Sequence, residues 1–166
     1  MKIFVNCQKD AFNKSYNSNS KKYNMGQAMI DAVADKENIL LIMETHTKGN
    51  FCVNNTPGWD LIDEIQAVIS VLDDERMIGI MALSTLTPAS MKLPIAVKEC
   101  IKDGPVDIEF IGPLLDVGIL QNIILLKNTM PGLNIKISLK KCGATTKENR
   151  DAALTILKNL DVEITD

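Results

Sequence analysis

Residues 106–139 read VDIEFIGPLLDVGILQNIILLKNTMPGLNIKISL, in which short apolar runs at 106–111 and 135–139 flank a longer segment at 114–126. The two runs predict strands, and the segment between them predicts a helix. That helix is unusual. Ile119, Leu120, Ile123, Ile124 and Leu125 surround it, and only Asp116, Gln121 and Asn122 supply a polar face. A helix apolar nearly all round is expected either inside the domain or as half of a subunit contact, which predicts a homo-oligomer.

The same alternation extends in both directions along the chain. Apolar runs at 3–5, 39–43, 77–83 and 162–164 add four strands, and apolar residues three and four apart predict amphipathic helices through Met25, Met29, Ala32 and Val33, through Leu61, Ile62, Ile65, Val68 and Ile69, and through Ala152, Ala153, Ile156 and Leu157. Strands apolar on both faces and separated by helices need helices on both sides of the sheet. The expected class is a three-layer α/β/α domain over residues 1–166 with a six-stranded, mostly parallel sheet. Residues 13–24, NKSYNSNSKKYN, show no period and predict a mobile flap.

Composition narrows the function classes. The chain has 166 residues, 46% hydrophobic and 23% charged, with 18 basic against 21 acidic side chains. A chain of this length buries enough surface to fold without a disulfide or structural metal. Cys7, Cys52, Cys100 and Cys142 show no metal-ligand spacing and are expected as reduced thiols. The mildly acidic balance lacks the basic stripe of a nucleic-acid binder. No apolar run is long enough to span a membrane, and the first residues do not read as an export signal, so a cytoplasmic protein is expected.

Phosphate and nucleophile motifs are absent: there is no GxGxxG, no GxxxxGK[ST] and no GxSxG. A catalytic couple would have to use His46, the one histidine. Glu44, after the second strand, and Asp116, after the fourth, stand where open α/β sheets bind ligands, at the carboxyl ends of strands. Each is also readable as a solvated loop charge or a helix cap. Residue chemistry alone locates a pocket and names no reaction.

Three stretches together resemble a known family. IFVNCQKDAF at 3–12 resembles the first-strand signature of the isochorismatase-like cysteine hydrolases, the superfamily that includes nicotinamidases. METHT at 43–47 followed by FCVNNTPGWDLIDEI at 51–65 is similar to that family's Asp-x-His strand end and His-Cys loop. Residues 107–164 resemble its fourth strand, nucleophile elbow, helix, fifth strand, final helix and final strand in register. The resemblance implies a six-stranded parallel sheet in a homo-oligomer.

It also implies a catalytic triad that this chain lacks. The family places an aspartate after the first strand, a lysine after the third and a cysteine at the elbow; the matching positions hold Asn6, Thr85 and Gly118. Glycine offers no atom to attack an amide, and a carboxamide cannot shuttle a proton near neutral pH. Both of the family's mechanisms are therefore expected to be closed, so no residue is assigned a catalytic role. The family's metal ligands match Glu44, His46 and, in place of the last histidine, Phe51. Two ligands rarely retain zinc, so no metal and no cofactor are expected. The resulting expectation is a pseudoenzyme that binds a small molecule, nucleotide- or nicotinamide-like, through Asn6, Phe12, Thr85, Pro113, Leu114 and Gly118. Glycine at 118 is expected to leave room on the pocket floor. A hydrolase with relocated residues, using Asp10 or Glu44 as general acid, and a structural or regulatory subunit are the alternatives.

Overall fold

Side-chain alternation along the strands divides the core in two. The computed structural model describes residues 1–13, 25–72, 92–101 and 107–166, together with the backbone of 77–83. Ile3, Val5, Leu40, Ile42, Ile108 and Phe110 enter one apolar cluster, while Phe4, Ile39, Leu41, Met43 and Ile111 enter the other. Neighbours in sequence point to opposite faces of a pleated strand, so both faces of this sheet must be covered.

The strands are β1 (Lys2–Val5), β2 (Ile39–Glu44), β3 (Met77–Leu83), β4 (Ile108–Gly112), β5 (Ile135–Cys142) and β6 (Glu163–Thr165). They form one sheet in the order β3-β2-β1-β4-β5-β6. Every pairing is parallel. Helices α1 (Met25–Ala34) and α2 (Asp63–Ile69) cover one face with Met25, Met29, Ala32 and Ile65. Helices α3 (Lys92–Cys100), α4 (Leu120–Thr129) and α5 (Lys147–Asn159) cover the other with Leu93, Val97, Ile123, Leu126, Ala153 and Leu157. The α/β/α layering expected from the sequence is what is observed, with all six strands close to their expected places.

One expectation needs correction. The segment 114–126 is not one helix: Leu115–Ile119 forms a wide π-helical turn that then tightens into α4. Of the two placements open to it, the segment takes the one inside the domain. Ile119, Ile123 and Leu126 are fully buried, and Leu120 and Leu125 pack partly buried on the same core. A helix sandwiched between sheet and neighbouring helices can be apolar on most of its circumference, which removes the stated reason for a subunit contact there. Helix α3, which contains Pro94, is not among the helices expected from the sequence. Pro94 lies in the first turn, where its missing N–H costs no intrahelical bond.

Candidate functional site

From β1 the chain moves to β2 and β3 on one side, then returns to place β4, β5 and β6 on the other. The winding direction reverses between β1 and β4, and the crevice beyond their carboxyl ends is where such sheets bind ligands. Asn6 follows β1 there with φ 55, a left-handed conformation that asparagine tolerates better than most residues. Pro113 and Leu114 follow β4, both buried, and Gly118 lies in the π turn. The structure thus brings Asn6, Pro113, Leu114 and Gly118 to one place. Phe12 stands on the neighbouring 3-10 turn Lys9–Phe12, half-buried against the α1–α2 side of the core. Thr85 and residues 14–24 of the expected flap lie outside the described residues.

The floor at Gly118 is not empty space. A Cβ at Gly118 would collide with Asn6 Oδ1 and stand 3.0 Å from Val5 Cγ1. The expectation that glycine leaves room for a ligand is therefore corrected: the Asn6 carboxamide occupies that room. Asn6 is itself 3% exposed, and its Nδ2 donates to Glu44 Oε2 at 3.0 Å.

Glu44 extends the cluster. Its carboxylate is buried, and the second oxygen, Oε1, lies 2.5 Å from His46 Nε2. The fully buried Gln8 clamps the same residue by its backbone: Glu44 N–H donates to Gln8 Oε1 at 2.7 Å, and Gln8 Nε2 donates to the carbonyls of Glu44 and Trp59, each at 2.8 Å. His46 is 28% exposed and faces Phe51 with ring centroids 6.5 Å apart. Its backbone is tied to the following loop, His46 N–H donating to the Cys52 carbonyl and Asn54 N–H to that of His46.

The other chemistry-bearing groups are committed to structure. Asp10 accepts from Cys52 N–H at 2.7 Å, and it presses so closely on Gly58 that any Cβ there would meet its carboxylate. It holds the 52–58 loop. Burial raises the Cys52 thiol far above its ordinary value, and the charges of Glu44 and Asp10 raise it further. Burial likewise pushes Cys142 up to about 12. Both shifts disfavour the thiolate that a nucleophilic cysteine needs. Asp116 accepts from Thr145 N–H at 3.0 Å and contacts its hydroxyl, tying the π turn to the start of α5.

β2 lies between β3 and β1, so the strand end beside Asn6 on that side carries Glu44 and His46. Charge at a strand end drew attention to Glu44 in the sequence, yet its union with His46 and Asn6 depends on which strands become neighbours. Gln8 carried no signal. Two further cavities lie away from this crevice: an apolar groove of about 570 Å³ between α1 and α2, and a polar cleft of about 370 Å³ beside Asp107, Lys136 and Glu163.

Solved structures match this architecture along its whole length. A nicotinamidase from Bacillus subtilis superposes with a TM-score of 0.82 at 12% identity, covering 99% of each chain. A pyrazinamidase of Pyrococcus horikoshii in complex with zinc has a TM-score of 0.75 at 12% identity, covering 99% of this chain and 97% of its own. An isochorismatase-like hydrolase from Alkaliphilus metalliredigens has a TM-score of 0.75 at 15% identity over 99% and 92%. The chain has the isochorismatase-like fold. No family model and no curated protein matches the sequence.

Zinc in one of these structures raises the question of a metal in this isochorismatase-like chain, and the donor set does not fit one. Both Glu44 oxygens are engaged, by Asn6 and by His46, so the two candidate ligands bond each other. Among the described residues no three His, Cys, Asp or Glu side chains come together as a metal seat. Among the same residues no helix is long and apolar enough to cross a membrane.

Proposed function

We propose that the chain is a catalytically inactive isochorismatase-like pseudoenzyme that binds or sequesters a small molecule, nucleotide- or nicotinamide-like, in the cytoplasm. The observation that carries this reading is the pair Asn6 and Gly118, a neutral carboxamide filling the space against a glycine at the head of α4. An amidase needs a nucleophilic atom at the elbow, and glycine has none. Vinyl-ether cleavage needs a proton donor of suitable pKa after the first strand, and a carboxamide does not ionise in the relevant range. What remains are convergent polar groups at a switch point, the usual equipment of a binding crevice. The reading includes a homo-oligomer and no cofactor, metal or nucleic-acid partner.

The test pairs activity with binding. Purified protein is incubated with nicotinamide and with isochorismate while native mass spectrometry and calorimetric titration look for a copurified or saturably bound compound. The expected result is bound small molecule without turnover. Turnover abolished by substituting Asn6, Glu44 or His46 would overturn the reading.

A further inference from the structure

A side-chain carboxamide has a donating end and an accepting end, and the structure gives Asn6 a use for one of them. Its Nδ2 donates to Glu44 Oε2 at 3.0 Å, so the amide is turned with its nitrogen toward that buried residue. Its Oδ1 has no hydrogen-bond partner among the described residues. Among the same residues, the side-chain atoms that are both sealed from solvent and without a partner are Gln121 Oε1 and Arg150 Nε, and Asn6 Oδ1 is not one of them. Asn6 is 3% exposed, and that small accessible part therefore includes Oδ1.

Gly118 keeps that oxygen uncovered. A Cβ there would collide with Oδ1, so any other residue in the π turn would cover the oxygen or push it aside. The oxygen thus stands between the ends of β1 and β4, where the winding of the sheet reverses. Water can serve such an acceptor while the crevice is open. A ligand that fills the space must bring a donor of its own or leave the oxygen desolvated and unsatisfied. Resting on the ligand-binding reading, we infer that Asn6 Oδ1 is the recognition atom for an N–H donor of the ligand, a primary carboxamide or an amino group on a heterocycle, with Gly118 as the residue that gives the donor access. An alkyl group or a second acceptor in the same place forfeits the bond.

The experiment uses the full chain and two pairs of probes that differ in the donor: nicotinamide against 3-acetylpyridine, in which a methyl replaces the NH₂, and adenosine against purine riboside, which lacks the amino group on the ring. In calorimetric titration the donor-bearing member of a bound pair should bind about tenfold more tightly, the worth of one good hydrogen bond. The carboxamide carbon of Asn6, followed by carbon-detected magnetic resonance, should shift with that compound and not with its partner. Asn6→Gly, which suits the left-handed φ of 55, removes the acceptor and should bring the two members of the pair to equal affinity. A merely structural role for Asn6 would weaken both members alike and leave their ratio unchanged. Equal binding within each pair by the unsubstituted protein, an Asn6 carboxamide carbon that ignores the tighter compound, or a preference that survives Asn6→Gly overturns the inference. Failure of all four compounds to bind overturns the ligand-binding reading on which it rests.

Discussion

A Cβ placed on Gly118 would collide with the Asn6 carboxamide oxygen, and the carboxamide cannot swing away without giving up its bond to the buried Glu44. Glycine at this position therefore answers to Asn6, whatever the crevice binds. Gly118→Ala should destabilise by about 1–3 kcal/mol, the usual cost of overpacking a filled site. Asn6→Gly, which suits the left-handed φ of 55 at that position, should remove most of that cost when combined with it. Urea unfolding of the two single variants and the double variant measures the coupling, expected above about 0.5 kcal/mol for residues in contact. Strict additivity would show that the two side chains do not meet. The same contact means that restoring a cysteine at 118 without changing Asn6 destabilises before it can catalyse.

Between elements, the start of the sheet is tied by charge. Glu109 on β4 is buried between Lys2 of β1 and Lys141 at the end of β5, at 2.6 and 2.9 Å. Burial pushes its carboxyl up, but the hydrogen bonds and charges of the two lysines outweigh that and hold it below the ordinary value. A carboxylate depressed in the folded state contributes stability that is fully present above its unfolded pKa, about 4.3, and is lost as pH falls through the lower folded value. Unfolding free energy should thus be flat on account of Glu109 from pH 7 to 5 and fall below about pH 4. Glu109→Gln should lower stability at pH 7 by about 2–3 kcal/mol, less than a fully buried pair because Lys141 is partly exposed, and should flatten the acid limb. An acid limb unchanged in that variant would place the lost protonation elsewhere.

At the scale of the molecule, the structure changes the argument for self-association. Helix α4 is covered within the chain, and the large apolar side chains left exposed among the described residues are Ile30, Val71, Ile95 and Ile156. Ile30 and Val71 flank the apolar groove between α1 and α2. Exposed apolar surface of this kind commonly marks an association surface, so a homo-oligomer remains the proposal on this different ground. Light scattering at micromolar concentration should give a multiple of 18.3 kDa. A single-chain mass would end the proposal, and the groove would then be an ordinary feature of a monomer surface.

The local pattern of the chain determined its class. Apolar runs such as 39–43 and 108–111, too short for helices and buried on both faces, require a covered parallel sheet, and the amphipathic periods at 25–33 and 152–157 supply the cover. The resemblance to a known family, and not the local pattern, implied that Asn6, Pro113, Leu114 and Gly118 share one crevice. It misjudged what fills that crevice. Period and composition say nothing about which side chains meet across strands: the Asn6–Glu44 bond spans 38 residues of sequence, and the Gln8 clamp on β2 spans 36. Burial of the 114–126 segment was equally invisible, since one apolar circumference fits an inner helix and a subunit face alike. Those outcomes depend on non-local packing, where the neighbours of a side chain are set by the order of strands in the sheet and not by the order of residues in the chain.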